Sequence, residues 1–137
     1  MSTVKLVADE EATGLVAEVF ADIRKTRKTD FINNFWRALA VDGALLKATW
    51  EEVKGVMAVP GELDPLTQEM IYIAVSVANA CSYCVHSHTA SARAKGMTDA
   101  QYAELMKIVS LAAKTNHLVT AMQVPVDPAF DLAASKV

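Results

Sequence analysis

No stretch of the chain restricts its fold more than PLTQEMIYIAVSVA, residues 65–78, which from Met70 onward is apolar on nearly every side of a helix. A helix of that kind asks for burial all round rather than a place at the surface. Its start is marked by Asp64-Pro65, where the aspartate offers an N-cap oxygen and proline at the first helical position forfeits no amide bond. Its end is marked by Asn79-Ala80, because asparagine tolerates the left-handed conformation that closes helices. Glu69 is the exception inside it. An ionisable group at the edge of an apolar run must find a partner, stay neutral, or turn outward near the helix start.

The other segments carry the same helical period. Asp9 is placed to cap a helix with Leu15, Val16, Val19, Phe20 and Ile23 on one face, and Asp30 to cap a second with Phe31, Ile32, Phe35, Trp36 and Leu39. After a break at Val41-Asp42-Gly43, a third helix carries Leu45, Leu46, Thr49, Trp50, Val53 and Met57. Pro60-Gly61 is a turn, and residues 65–78 form the fourth helix. A fifth runs from about Ser82 to a stop at Gly96. Thr98-Asp99-Ala100-Gln101 is a capping box for a sixth, with Tyr102, Leu105, Met106, Val109 and Ala113 inward. A last short helix is expected around Leu118, Val119 and Met122, stopped by Pro125 and Pro128 and followed by an extended or loosely docked tail. Alternating strand patterns, internal repeats and glycine-rich phosphate loops are absent from the sequence. The expected fold class is all-α, a bundle of about six to seven helices.

With 137 residues the chain is expected to form a single domain, 1–137. A net charge of −3 and a pI near 5.5 give no reason to expect nucleic acid or an anionic membrane as partner. The basic cluster Arg24, Lys25, Arg27 and Lys28 reads as a solvated helix end that complements the C-terminal dipole. The longest mostly apolar run, Met70 to Cys81, falls short of the about 20 residues that span a bilayer, and the N-terminus has no signal-peptide pattern. The expectation is an intracellular, cytoplasmic protein. In a reducing compartment a pair of cysteines is more often catalytic or metal-binding than structural.

Both cysteines lie in CSYCVHSH, residues 81–88. On a helix starting near Cys81, Cys84 and His88 follow at i+3 and i+7, so two thiols and an imidazole share one stripe. Glu69 stands about 10 residues before the Asn79-Ala80 break and His88 about 8 after it, so in two helices folded back on one another they reach similar depths. A helix N-terminus and a neighbouring imidazole both favour a thiolate, and a buried carboxylate orients the ring and stabilises its charged form. A sulfenic acid formed on one sulfur can be captured by the other as a disulfide, which makes a peroxidase cycle without metal or other cofactor.

Other readings compete for the same residues. A zinc site would recruit Cys81, Cys84, His88 and His86, yet His86 stands about 160° round the helix from Cys84. A thioredoxin-like site belongs with a βαβ pattern that this sequence lacks. The plainest alternative is two small hydrophobic cysteines and a satisfied core histidine. Ser76, two turns after Glu69 on the same face, is placed either to hold the carboxylate or to serve as a small residue at a helix contact.

Taken together, Glu69, eleven residues, Cys81-x-x-Cys84, three residues and His88 form a pattern that resembles the AhpD-like alkylhydroperoxidases of the carboxymuconolactone decarboxylase superfamily. The resemblance implies an all-helical, oligomeric, thiol-dependent (hydro)peroxidase or disulfide reductase. It assigns Cys84 to attack on the hydroperoxide, Cys81 to resolution through a redox disulfide, His88 to the base and Glu69 to its partner. The best-known members place a histidine just before the second cysteine; here Tyr83 holds that position and is the auxiliary candidate. The implied partners are a hydroperoxide substrate, a dithiol reductant such as dihydrolipoamide, and further copies of the chain in a homo-oligomer, trimer or hexamer. The alternative is an adaptor that passes electrons by disulfide exchange to a peroxiredoxin. Lactone decarboxylation, contained in the superfamily name, does not call for a cysteine pair.

Overall fold

The structure, a computed structural model, describes residues 1–130. The tail beyond them, expected to be extended or loosely docked, lies outside the described residues. Among the described residues there are six α-helices and two short 3-10 turns, with no strand. The helices are α1 (Gly14–Arg27), α2 (Asn34–Leu39), α3 (Gly43–Met57), α4 (Pro65–Ala78), α5 (Ser82–Ala94) and α6 (Asp99–Ala121). The chain divides into two compact units, Met1–Glu62 and Leu63–Val137.

In the first unit α3 packs against both α1 and α2. Val19, Phe20, Ile23, Ile32, Trp36, Ala40, Leu46 and Trp50 form its buried core. The two tryptophans meet edge to face with ring centroids 5.4 Å apart, a geometry that the ring quadrupoles favour. Two expected caps are corrected. Asp9 opens a 3-10 turn rather than α1, and its carboxylate takes Arg24 at 2.7 Å and Arg37 at 3.1 Å. The cap of α2 is Asn33, whose side chain accepts from the Trp36 amide, and not Asp30. With the helix starting that late, Phe31 precedes it and is 71% exposed, while Ile32 turns into the core. Asp42 caps α3 through the amides of Ala44 and Leu45, which sets Leu46 and Trp50 inward and leaves Leu45 outward.

In the second unit α4 packs against α5 and α6. Among the described residues Ile73, Ala92 and Met97 form its buried hydrophobic cluster, with Leu66, Met70, Tyr102, Leu105 and Met106 packed on them. Asp64 caps α4 at 3.0 Å from the amides of both Leu66 and Thr67. The expectation that α4 is buried all round is corrected. Its buried stripe is Glu69, Ile73 and Ser76, at i, i+4 and i+7, while Ile71, Tyr72, Val75 and Val77 remain exposed. The capping box of α6 forms between Thr98 and Gln101. That helix then runs unbroken to Ala121 and absorbs the separate last helix expected from the sequence. Lys114-Thr115-Asn116-His117 interrupts the apolar pattern, but without Gly or Pro it does not interrupt the backbone. Ala113, expected inward, is exposed.

Candidate functional site

The site begins where α4 stops. Ala80, with φ +53°, is the left-handed residue, and the amides of Ala80 and Cys81 donate back to Val77 O at 3.1 Å and Ser76 O at 2.9 Å. This double bond pattern is a Schellman closure, with alanine standing where the sequence suggested that asparagine would turn. Asn79 itself has φ −87°. The closure delivers Cys81 directly to the N-cap of α5, where its Sγ accepts from the Cys84 amide at 3.2 Å. Cys81 and Cys84 are joined as a disulfide.

One turn beyond Cys84, the His88 ring meets α4. Its Nδ1 lies 2.7 Å from Glu69 Oε2. Glu69 is only 4% exposed, and its other oxygen, Oε1, accepts from Ser91 Oγ at 2.8 Å and Lys95 Nζ at 2.7 Å. Burial alone would raise this carboxyl's pKa, but the hydrogen bonds from His88, Lys95 and Ser91 outweigh it and carry the group down to about 2. Glu69 is therefore a carboxylate at neutral pH. A carboxylate only accepts, so His88 Nδ1 carries the hydrogen and the neutral ring keeps its lone pair on Nε2. Tyr72, also from α4, stacks on the His88 ring, the two ring centroids 3.6 Å apart and the planes 18° from parallel.

The residues singled out in the sequence separate into those brought together and those not. Glu69 and His88 meet, and Cys81 and Cys84 meet. Among the described residues no hydrogen bond joins the ring to either sulfur; Cys84 and His88 are linked by their one-turn spacing on α5. Ser76 turns away from the carboxylate, donating to Tyr72 O on its own helix at 2.7 Å. Tyr83 is exposed at the start of α5. His86 donates through Nδ1 to Ser82 O at 2.8 Å and takes no part in the cluster. Among the described residues no three His, Cys, Asp or Glu side chains gather as metal ligands.

Sequence reasoning missed Ser91, Lys95 and Tyr72. The signal for the first two was present: Cys81, Cys84, His88, Ser91 and Lys95 continue a single stripe at steps of three and four. Tyr72 follows Glu69 at i+3 on α4 and so shares its face.

Fold and site together define an all-α protein whose Cys-x-x-Cys disulfide opens a helix that also carries a carboxylate-held histidine. A sequence profile of the Carboxymuconolactone decarboxylase family matches residues 43–127, and the chain belongs to that family. Among solved structures it is similar to the crystal structure of the alkylhydroperoxidase AhpD core from Rhodospirillum rubrum ATCC 11170. The identity is 65%, covering 95% of this chain and 97% of that one, with a TM-score of 0.93. No curated protein matches the chain. Within its family the chain is AhpD-like, an alkylhydroperoxidase-like protein. Among the described residues no helix is long and apolar enough to cross a membrane.

Proposed function

We propose that the protein is a thiol-dependent hydroperoxidase that cycles between the Cys81–Cys84 dithiol and its disulfide. The observation that carries this reading is the His88–Glu69 contact at 2.7 Å, one helical turn from a cysteine pair already joined as a disulfide. In the reduced protein, His88 Nε2 takes the proton of Cys84. The thiolate attacks the hydroperoxide, an S–O bond forms as the O–O bond breaks, and the leaving alkoxide takes the proton back from His88 to depart as the alcohol. Cys81 then attacks the sulfenic sulfur, closing the disulfide and releasing water. A dithiol such as dihydrolipoamide reopens it by exchange and is itself oxidised. When that dithiol attacks Cys84, the Cys84 amide beside Cys81 Sγ at 3.2 Å helps Cys81 to leave as a thiolate.

Several finer assignments belong to the same proposal. Tyr83, at the mouth of α5, is an auxiliary hydrogen-bond donor to the peroxide. Residues 1–137 act as one domain, a reading supported by an alkylhydroperoxidase core that aligns over 95% of the chain. The protein works in the cytoplasm as a homo-oligomer, trimer or hexamer, and the exposed Ile108, Leu111, Leu118 and Val119 of α6 support assembly. Reduction of a peroxiredoxin through the same disulfide is the second reading, since the cysteine pair serves disulfide exchange equally well.

The test is peroxide consumption with dihydrolipoamide as reductant. Cys84→Ser abolishes turnover, whereas Cys81→Ser leaves a sulfenate on Cys84 that dimedone traps. Equal activity in the two variants contradicts the assignment of roles. Turnover that requires an added peroxiredoxin moves the protein to the adaptor reading.

A further inference from the structure

The Glu69 carboxylate is shared. His88 holds Oε2, while Lys95 and Ser91 hold Oε1, and Lys95 Nζ is braced a second time by Ser91 Oγ at 2.9 Å. The groups facing the His88 ring are Glu69 and Tyr72 from α4, with Cys84 one turn before it on α5 and Lys95 reaching the common carboxylate from one end of α5. Among the described residues α6 contributes no charged group bonded to this cluster.

A proton relay needs a ring that both accepts a proton and returns it. A buried carboxylate answering to the imidazole alone stabilises the imidazolium strongly and holds the proton there. A second cation on the same carboxylate opposes charging of the ring and pins the oxygen that the ring uses. We propose that Lys95 is a positioning residue, which fixes Glu69 with Oε2 on His88 and divides its charge so that the ring can release the proton it takes. This deepens the hydroperoxidase reading and rests on it for the source and destination of that proton. The electrostatic part is tested without peroxide.

In the oxidised protein neither cysteine titrates, so NMR of the His88 ring against pH reads its environment directly, with His86 and His117 as references. Lys95→Met and Lys95→Gln are expected to raise the His88 midpoint by about one pH unit, the scale on which a nearby charge acts. Lys95→Arg is expected to keep it near the parent value, and the His86 and His117 midpoints to stay in place in all three. An unmoved His88 midpoint in Lys95→Met, or in Lys95→Gln if the first variant does not fold, overturns the proposal, as does an equal rise in Lys95→Arg. A parent protein that consumes no peroxide while these midpoints move as expected sinks the hydroperoxidase reading and leaves the role of Lys95 standing.

Discussion

The two units of the chain bury different things. Met1–Glu62 encloses eight hydrophobic side chains, three of them the aromatic rings of Phe20, Trp36 and Trp50. Its carboxylates Asp9 and Asp22 pair at the surface with Arg24, Arg37 and Lys54. Among the described residues, the unit that follows encloses three hydrophobic residues, together with the charged Glu69 and the polar Ser76. A buried carboxylate is costly unless it is paired and hydrogen-bonded, and a well-packed apolar residue would stabilise at least as much. A small core that accepts such a group is shaped by chemistry, whereas a large core without one is shaped by packing.

The largest effect expected from this contrast falls in the packing unit. Trp50 is 1% exposed, and its Nε1 donates to Asp22 at 2.7 Å. Trp50→Ala is expected to cost about 4 kcal/mol in urea unfolding, through the lost burial and the cavity left behind. The folded fraction should still have its Cys81–Cys84 disulfide reduced by a dithiol at the parent rate. A reduction rate that falls with the stability would break the division between packing and chemistry.

The next effect is an acid dependence that separates the buried carboxylate from the exposed ones. Glu69 has its pKa depressed from 4.5 to about 2, so its stabilisation is fully present above pH 4.5 and is lost as the pH falls through about 2. That shift corresponds to about 3 kcal/mol of folding free energy. Asp9 and Asp22 are also lowered, Asp9 by hydrogen bonds from Arg37 and Arg24 and Asp22 by those from Lys54 and Trp50, but Asp9 is exposed and Asp22 half-buried, so solvent and salt reach both ion pairs. Stability measured from pH 6 to 2 should therefore fall in Glu69-containing protein even at high salt, and the salt-resistant part should be missing in Glu69→Gln. An acid transition that salt removes entirely would assign the effect to the first unit instead.

How much of this was legible in the sequence follows the range of each interaction. Asp64-Pro65, the Thr98 capping box and the pairing of Glu69 with His88 depend on short spacings along one helix or across one turn, and the residue pattern carries them. The start of α2 was missed because Asp30 and Asn33 are both good caps, and only the packing of Ile32 into the core decides between them. The exposed apolar residues of α4 were missed because composition says that a surface is greasy but not which neighbours cover it. The stripe of Cys81, Cys84, His88 and Ser91 continues to Lys95, but that spacing alone does not say that the long lysine side chain crosses to the carboxylate on α4.

The smallest effect is expected at Ser91, and it separates charge from hydrogen bonding within the site. Ser91 Oγ donates to Glu69 Oε1 at 2.8 Å and accepts from Lys95 Nζ at 2.9 Å, so Ser91→Ala removes one of the three donors on the carboxylate and leaves the imidazole and the ammonium in place. The expected loss is about 1 kcal/mol in urea unfolding, mostly that of the buried bond to Glu69, since the half-exposed Lys95 ammonium exchanges its bond to Ser91 for water. The His88 midpoint should hardly move, because a hydroxyl carries no net charge and the division of the carboxylate between ring and ammonium persists. Lys95→Met, measured beside it, should move the midpoint. Equal shifts in the two variants would mean that geometry rather than charge sets the ring, and the second unit would then differ from the first only in what it packs.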